Sequence, residues 1–235
     1  MAERKKLGVI GGMGPEATSF YYARVIAHTA AAGDQEHIDM VILSHASMPD
    51  RTEAIRTGKE EPFLQSIEKD VQALEALGCK NIAIPCNTSH YFLPKIQAMT
   101  NVPVINMIQE SAKAIKRRFP EAVKVGIMAT DGTISTGTYH RELENVGLIP
   151  VEPSPERQKD VMSLIYDDIK AGDHGDRRKF DRVYADLTDN GCDVVLLACT
   201  ELSVFKEYYQ LPDNCLDAMD ILVKESIVRS GARYR

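Results

Sequence analysis

Gly78-Cys-Lys-Asn-Ile-Ala-Ile-Pro-Cys86 and Gly191-Cys-Asp-Val-Val-Leu-Leu-Ala-Cys199 are two copies of one pattern in this chain of 235 residues. The offset between the copies is the same for the inner and the outer cysteines (192 − 79 = 199 − 86 = 113). Each copy is typical of a helix that ends at glycine, a short apolar strand, and a cysteine in the loop that leaves the strand. The apolar runs do not alternate with polar residues, as in parallel strands covered on both faces. The pattern therefore predicts a parallel α/β fold built from two related halves.

Short apolar runs and amphipathic stretches alternate along the rest of the chain, which favours the same fold class. The predicted strands are Leu7–Ile10, Met40–Ser44, Asn81–Pro85, Val104–Asn106, Lys124–Ala129, Ile149–Glu152 and Val194–Ala198. The predicted helices are Pro15–Ala32, Pro62–Leu77, Ser89–Met99, Met107–Arg118, Ser135–Val146, Glu156–Ala171, Phe180–Asn190 and Ala218–Arg229.

The duplication extends beyond the cysteine blocks. Gly8-Val-Ile-Gly-Gly-Met-Gly14 opens the first half and Gly126-Ile-Met-Ala-Thr-Asp-Gly132 opens the second, each as a strand followed by a turn of small residues. A change of pattern near Arg117–Val123 predicts a first α/β domain over 1–117, completed by the C-terminal helix at 209–235, and a second over 118–208. The fold class is thus two similar parallel-sheet α/β domains related by a pseudo-twofold duplication. Because ligands bind beyond the carboxyl ends of such strands, we expect an active site in the cleft between the domains.

Composition argues against several classes of function. A net charge of −6 without a run of Lys or Arg gives no support to nucleic-acid binding. The apolar runs are too short to cross a bilayer, so we expect no membrane partner. The five cysteines have no C-x-x-C spacing and too few neighbouring ligands for a closed zinc site, so we expect no metal. These features favour a cytoplasmic protein with reduced thiols.

The outer cysteines are the candidate catalytic residues. Asn87-Thr88-Ser89-His90 follows the first and Thr200-Glu201 follows the second, whereas apolar strands follow the inner cysteines. A thiol at the start of a helix is expected to have its pKa lowered from about 8.5 by the positive end of that helix. Two such thiols suit the removal and return of a proton on opposite faces of a carbon. We interpret the inner Cys79 and Cys192, and also Cys215, as packing residues.

The loop Gly12-Met-Gly-Pro-Glu-Ala17 matches the dinucleotide fingerprint G-x-G-x-x-A, so NAD is an alternative ligand. That fingerprint needs an acidic residue at the end of the second strand, whereas this strand ends Leu43-Ser44-His45. The amides of the loop and of the helix behind it suit any anion, and we consider a substrate carboxylate the better candidate.

His90 follows Cys86 by four positions, which leaves two interpretations. One is a Cys–His nucleophile. The other, which we favour, is a structural hydrogen-bond donor. His45, His140 and Glu201 are further candidates for orienting groups.

Four motifs occur in a consistent order between Leu7 and Leu222: Gly12-Met-Gly-Pro-Glu-Ala-Thr18, Pro49-Asp-Arg-Thr52, Pro85-Cys-Asn-Thr-Ser-His90 and Ala198-Cys-Thr-Glu-Leu202. Together they resemble the aspartate/glutamate racemases, and more closely the cofactor-independent aspartate racemase branch. The resemblance implies two similar α/β domains, a homodimer, and Cys86 and Cys199 as an acid/base pair that needs neither pyridoxal phosphate nor metal. Some members of this family replace one cysteine with Thr, and this chain keeps both.

The resemblance also implies a small acidic amino acid as substrate. It places the side-chain carboxylate of that substrate on Arg51 and on Lys170, although Lys170 lies in an ordinary amphipathic helix. The planar fork of an Arg side chain suits a carboxylate. Aspartate is therefore the first choice and glutamate the second. The remaining substrate-binding candidates are polar or loop residues near the two thiols: Met13, Asn87, Thr88, Ser89, Thr130, Thr200 and Glu201.

Three classes of function remain open from the sequence. The first is racemisation by two thiols. The second is another reaction on the same fold, such as decarboxylation or cis–trans isomerisation, which needs only one thiol. The third is a non-catalytic amino-acid-binding protein in which the cysteines line a pocket. Retention of both thiols favours the first.

Overall fold

A computed structural model describes residues 4–235, which divide into two compact α/β units. The first unit comprises the chain up to Asn106 together with Met219–Arg235, and the second comprises Met107–Ala218. The division after Asn106 precedes the expected boundary at residue 117, because the helix over 107–118 packs on the second unit. The C-terminal segment that returns to the first unit begins at Met219 rather than at 209.

Within the described residues, seven strands form two parallel sheets. They are β1 (Leu7–Gly11), β2 (Met40–Ser44), β3 (Asn81–Ala83), β4 (Lys124–Met128), β5 (Ile149–Val151), β6 (Val194–Leu197) and β7 (Cys215–Asp217). The first sheet has the order β2-β1-β3 and the second the order β5-β4-β6-β7. All strand pairs are parallel, which confirms the predicted fold class.

Eleven α-helices surround these strands within residues 4–235. They are α1 (Pro15–His28), α2 (Arg51–Thr57), α3 (Glu61–Ala76), α4 (Leu93–Ala98), α5 (Met107–Arg118), α6 (Asp131–Ser135), α7 (Thr138–Asn145), α8 (Pro155–Ser163), α9 (Arg177–Asp189), α10 (Thr200–Tyr208) and α11 (Ala218–Arg229). None of the helices in this range is both long and apolar enough to cross a membrane.

The helix–strand junction that precedes each cysteine pair is built in the same way in both units. α3 is followed by Gly78 in a left-handed conformation, and the amide of Cys79 donates to the carbonyl of Leu74 (3.1 Å). α9 is followed by Gly191, and the amide of Cys192 donates to the carbonyl of Leu187 (3.1 Å). This is the hydrogen-bond pattern of a glycine-terminated helix. The predicted helix end at glycine is confirmed in both copies.

A second repeated feature is a close approach of helix to strand at glycine. A Cβ atom at Gly8 of β1 would lie 2.9 Å from the side chain of Leu74. A Cβ atom at Gly126 of β4 would lie 2.9 Å from the side chain of Leu187. Glycine at these positions therefore lets α3 and α9 pack against an inner strand of their own sheets. The duplication thus includes the packing of each half as well as its sequence.

Several predicted elements differ from the structure. The predicted strand at 104–106 is a single bridge between Val104 and Ile82. The predicted helix over 135–146 corresponds to α7, which begins only at Thr138, after Gly137 with its positive φ. The predicted helix over 156–171 changes after α8 into a π-helical turn (Leu164–Asp168) and then a 3₁₀ turn (Ile169–Ala171). α2, α6, α10 and β7 were not predicted, because short elements contain too few residues to show a period.

Candidate active site

Cys86 lies just beyond the carboxyl end of β3, on the side of the first sheet at which its parallel strands end. Its side chain is buried, with 6% of the residue exposed, and its amide donates to the carbonyl of Ile84 (2.7 Å). A 3₁₀ turn, Thr88–Phe92, begins shortly after it. Asn87, Thr88 and Ser89 are also buried. The structure therefore places the thiol and the polar residues that follow it at the edge where ligands bind in open α/β sheets.

The loop over residues 12–14 follows the carboxyl end of β1, on the same side of the first sheet as Cys86. Gly12 has φ +87°, and a Cβ atom there would lie 2.4 Å from backbone atoms of His45. Its amide donates to Oγ1 of Thr18 (2.9 Å). The hydroxyl of Ser89 contacts the sulfur of Met13 at 3.4 Å. Met13 and Ser89, both substrate-binding candidates, are thus in contact.

Arg51 begins α2, where Asp50 caps the helix by accepting from the amide of Glu53 (2.8 Å). The Nη1 group of Arg51 donates to the carbonyl of Pro49 (3.0 Å), while its Nε atom is buried without a hydrogen-bond partner. This contact restrains the guanidinium close to its own loop. A restrained cation of this kind suits an anionic ligand group.

His90 is a buried structural residue. Its Nδ1 atom lies 2.8 Å from the carbonyl of Cys86 and its Nε2 atom 3.3 Å from the carbonyl of Ile105. Burial lowers the pKa of His90, so the neutral ring donates to one of these carbonyls. The ring nitrogens therefore contact backbone oxygens, in agreement with the structural interpretation that we favoured. His45 instead pairs with Asp70 (2.8 Å).

Cys199 lies at the corresponding position of the second unit, between β6 and α10. Its Sγ atom is 2.9 Å from Oε2 of Glu201. Oε1 of Glu201 is 2.5 Å from the ammonium of Lys170. Glu201 is buried, whereas Lys170 is an exposed residue whose side chain is partly covered, with 27% of it accessible. The structure thus brings together three of the predicted site residues as a thiol, a carboxylate and an ammonium in series.

The electrostatics of Cys199 differ from the expectation based on its position. Burial, and after it the charge of Glu201, raise the pKa of the Cys199 thiol well above its ordinary value, and Lys170 partly opposes them. The expectation that the helix start lowers the pKa of this thiol is therefore wrong. Burial of the thiol and the negative charge of Glu201 both raise the pKa of Cys199. Together they outweigh the partial positive charge at the start of α10, which lowers it.

Lys170 reaches Glu201 from the segment that follows α8. The π-helical turn widens the helix just before Lys170, and Ile169–Ala171 then closes as a 3₁₀ turn. The ammonium also lies 5.6 Å from the ring centre of Tyr166. π-helical turns often occur at functional positions. From the sequence Lys170 was the weakest candidate, and its contact with Glu201 now gives it a specific place near Cys199.

The two threonine candidates of the second unit have local roles. The Oγ1 atom of Thr130 accepts from the amide of Thr133 (3.3 Å) and caps α6. Oγ1 of Thr200 lies 3.3 Å from Oε2 of Glu201. Thr130 follows β4 and Thr200 follows β6, so both lie at the carboxyl edge of the second sheet.

Two polar residues near this edge were missed by the sequence analysis. Asp217 ends β7 and accepts from the hydroxyl of Ser203 (2.7 Å). Tyr139 of α7 is fully buried, and burial raises the pKa of its hydroxyl, with the charges of Asp217 and Cys199 acting in the same direction. The Asp217 position was missed because β7 was not predicted. Tyr139 gave no signal, since buried tyrosines are common in ordinary cores.

The inner cysteines lie at the opposite ends of their strands. Cys79 precedes β3 and Cys192 precedes β6. Burial raises the pKa of the Cys79 thiol and raises the pKa of Cys192 to about 11. Cys79 packs beside Gly8, where a Cβ atom would lie 3.2 Å from its sulfur. These environments agree with packing roles. His140, a possible orienting group, pairs with Glu152 (2.8 Å).

Comparison with known proteins extends over nearly the whole chain. The sequence model of the Asp/Glu/Hydantoin racemase family matches residues 10–226. The chain belongs to this family. It is 26% identical over 227 residues to the broad-specificity amino-acid racemase RacX of Bacillus subtilis, which covers 94% of this chain and 96% of the relative.

Solved structures of racemases share the fold. An aspartate racemase from Picrophilus torridus superposes with a TM-score of 0.83 and 29% identity, over 98% of this chain and 96% of that one. A glutamate racemase isoform, RacE1, from Bacillus anthracis superposes with a TM-score of 0.64 over 96% of this chain and 80% of that one. At 16% identity, the second likeness shows the fold alone. The protein is thus an amino-acid racemase, an isomerase, and these relatives favour racemisation over the decarboxylase and amino-acid-binding alternatives.

Proposed function

We propose that this racemase interconverts L- and D-aspartate by proton transfer at Cα, with Cys86 and Cys199 as the two acid/base groups. The observation that carries the proposal is the repeated placement of a buried thiol just beyond the carboxyl end of equivalent strands, β3 and β6. The inner cysteines are repeated equally well but lie at the other ends of these strands. Position in the sheet therefore separates the candidate catalytic thiols from the packing thiols.

The chemistry of inversion explains why two thiols are needed. The α-proton of an amino acid is weakly acidic, so its removal needs a positioned base and stabilisation of the carbanion that develops. A single base would return the proton to the face from which it came. In the proposal one thiolate removes the α-proton, and the other thiol donates its proton to the opposite face of the same carbon. The C–H bond broken and the C–H bond formed balance, and the two sulfur atoms exchange protonation states.

Charge complementarity supports an acidic substrate. Arg51 offers a guanidinium restrained at the start of α2, and its buried Nε atom has no hydrogen-bond partner. Lys170 offers an ammonium, whose three donors are compatible with a contact to Glu201 and one to a substrate carboxylate. Aspartate is our first assignment, with the Picrophilus torridus aspartate racemase as the supporting relative, and glutamate is the second. We further propose that the protein acts as a homodimer in the cytoplasm, as its resemblance to the family implies, without a cofactor.

The remaining candidates have roles in holding the amino-acid end of the substrate. Met13, Asn87, Thr88 and Ser89 lie with Cys86 at the carboxyl edge of the first sheet. Thr130, Thr200 and Glu201 lie with Cys199 at that of the second. Their backbone amides and hydroxyls suit the α-carboxylate and the ammonium of an amino acid.

Chiral chromatography tests the reaction and the substrate together. Purified protein, without added pyridoxal phosphate or metal, is incubated separately with L-aspartate, L-glutamate and the neutral L-alanine. We expect D-aspartate to form fastest and D-alanine to form slowest. Equal rates for all three would contradict the acidic specificity, because RacX shows that broad specificity exists among relatives. No enantiomer formed from any acidic amino acid would contradict the assignment.

Arg51 provides a sharper test of specificity, with Arg56 of the same helix as the matched control. Arg56 pairs with Glu53 and is largely exposed. We expect Arg51→Leu to raise the KM for aspartate by about tenfold or more, because a charge-assisted hydrogen bond is lost. Arg56→Leu should leave KM within about twofold, as expected when an exposed ion pair is removed. Equal effects of the two variants would exclude a specific role for Arg51.

A further inference from the structure

The second thiol has a hydrogen-bond acceptor that belongs to its own loop. The carboxylate of Glu201 lies between Cys199 and Lys170, with Oε2 at 2.9 Å from the sulfur and Oε1 at 2.5 Å from the ammonium. Glu201 is only 5% exposed. A buried carboxylate is costly unless it is paired, and here Lys170 supplies the opposite charge. Because an ionised carboxylate only accepts hydrogen bonds, the thiol must supply the proton in its contact with Glu201.

The first thiol lacks this acceptor at the equivalent position. Two residues after Cys199 the chain has Glu201, whereas two residues after Cys86 it has Thr88. Thr88 is uncharged. The carbonyl of Cys86 is instead the group that contacts a titratable residue, His90. The duplicated loops therefore present the same thiol in two different settings, and only the second places an anion beside the sulfur by its own sequence.

We propose that Glu201 is a positioning residue that holds Cys199 as the protonated thiol, with Lys170 as its counter-ion, so that Cys199 is the proton donor of the resting enzyme and Cys86 the base. The assignment of roles rests on the proposed two-thiol function. The effect of Glu201 on the protonation of Cys199 does not depend on that function, and it can be measured without substrate.

The same arrangement suits the step after proton transfer. When Cys199 gives its proton to the carbanion, its sulfur becomes a thiolate beside the carboxylate of Glu201, and the two anions repel each other. The ammonium of Lys170, 2.5 Å from Glu201, offsets part of this repulsion. Cys86 holds the proton taken from the substrate at that point, so the total charge is unchanged. Glu201 orients the side chain of Cys199 and stabilises its protonated form, and it does not itself transfer a proton.

Other groups around Cys199 also act on its protonation. Tyr139 of α7 is electrostatically coupled to it, and burial keeps that hydroxyl neutral. Asp217 of β7, the strand beside β6, is held by Ser203 and lies 3.8 Å from Lys206. These groups are unchanged in variants of Glu201 and Lys170. A difference between such variants therefore reports on the Glu201–Lys170 pair.

The test is a pH titration of Cys199 by NMR in protein labelled with ¹³C at the cysteine Cβ atoms, with Cys199→Ser to assign the signal. We expect Glu201→Gln to lower the midpoint of Cys199 by about one pH unit or more, because a nearby anion and an acceptor for the thiol proton are removed. We expect Lys170→Met to raise it. Glu201→Asp, which keeps the charge, should restore most of the wild-type midpoint.

Lys179→Met is the matched control, since Lys179 also forms a half-buried ion pair, with Asp168 at 2.6 Å. It should leave the midpoint of Cys199 unchanged. An unchanged or raised midpoint in Glu201→Gln would overturn the proposal, and so would equal shifts in Lys170→Met and Lys179→Met. If Glu201→Gln does not fold, Lys170→Met keeps the proposal testable, because an unchanged or lowered midpoint of Cys199 in that variant would overturn the role of Lys170 as the counter-ion.

A kinetic readout separates this proposal from the proposed function. The alkaline limb of kcat/KM reports loss of the donor thiol, and it should move to lower pH in Glu201→Gln. Titration shifts of the expected sign in a protein that does not racemise any acidic amino acid would support the role of Glu201 and refute the function. An active racemase in which Glu201→Gln leaves the titration midpoint of Cys199 unchanged would support the function and refute the role of Glu201.

Discussion

The loops that carry Cys86 and Cys199 have the same origin in sequence and different surroundings in structure. Both follow a buried strand, and in both the helix before that strand ends at a left-handed glycine. Beyond the sulfur they diverge. The Cys86 loop continues into a 3₁₀ turn and fixes His90 on its carbonyl. The Cys199 loop enters α10 and places Glu201 against the sulfur.

This comparison shows what a duplication conserves. The strand, the glycine and the packing of helix on strand provide the position of each thiol. The residues that follow each cysteine influence the protonation state of its thiol, and these residues differ between the two copies. A two-base racemase needs one thiolate and one thiol at the start of each turnover, so unequal surroundings serve the reaction better than identical ones. The asymmetry is therefore part of the proposed mechanism.

The two loops are compared most directly by removing each cysteine of the two copies in turn. Cys86→Ser and Cys199→Ser should each lower racemisation by about 10³-fold or more, because a positioned acid or base is lost. The inner cysteines provide controls that are repeated equally well. Cys79→Ala and Cys192→Ala should retain activity within a few-fold. Circular dichroism of all four variants checks that the fold is kept, and full activity in either serine variant would contradict the two-thiol mechanism.

A second prediction concerns the loops that follow the first strand of each half. In the first unit this loop needs Gly12, whereas the equivalent turn of the second unit is capped by Thr130. Gly12→Ala should lower the free energy of unfolding by about 2–5 kcal/mol, since the new Cβ atom combines an unfavourable φ with a backbone clash. Gly147→Ala is the control, because Gly147 also has a positive φ but no atom within 4 Å of the added Cβ.

Urea unfolding measures this difference. We expect Gly147→Ala to cost about 1–2 kcal/mol, which is the backbone term alone. Equal losses in the two variants would show that the contact of the loop with the backbone of His45 does not restrict position 12.

A third prediction concerns a modest difference in the effect of alkaline pH on stability between thiols of the two units. Burial raises the pKa of Cys192 to about 11 and that of Cys215 to about 12 in the second unit, and it raises the pKa of Cys79 in the first. A thiol whose pKa is raised on folding stabilises the protein below about pH 8.5, its range in an unfolded chain, and this contribution is lost as the pH rises through the folded value.

Thermal unfolding between pH 8 and pH 10.5 tests this sign. The melting temperature should fall with pH, and the fall should be shallower in the Cys192→Ala/Cys215→Ala double variant than in Cys79→Ala. The slope is the quantity to compare, because a cavity shifts the melting temperature at every pH. Identical slopes in the wild type and in both variants would contradict the role given to burial of these thiols.

The sequence predicted the architecture well because the apolar runs and the terminal glycines are local signals. The bounds of β2, α5 and α11 agree with those expected from the sequence. β7 was missed because Cys215–Asp217 has only three residues and follows Pro212-Asp-Asn214, which is typical of a loop. Its conformation depends on pairing with β6, a contact between distant parts of the chain.

The site was predicted in its residues but not in its electrostatics. Cys199, Glu201 and Lys170 were all candidates, yet their contacts could not be inferred. The π-helical turn before Lys170 has an ordinary amphipathic sequence, so its extra width depends on packing. The raised pKa of Cys199 depends on burial and on the direction of the Glu201 side chain. Neither property has a period or a motif that sequence reasoning can detect.

The most direct test of the two-thiol account is the fate of the α-hydrogen in deuterated water. L-Aspartate with hydrogen at Cα is incubated with the enzyme in deuterated water, and samples are taken during the first few per cent of reaction. The two enantiomers are separated, and the deuterium content of each is measured by mass spectrometry. Because the thiols exchange with solvent, the account predicts that D-aspartate carries one α-deuterium while the remaining L-aspartate carries none. D-Aspartate that retains the original α-hydrogen would contradict proton transfer by two separate groups.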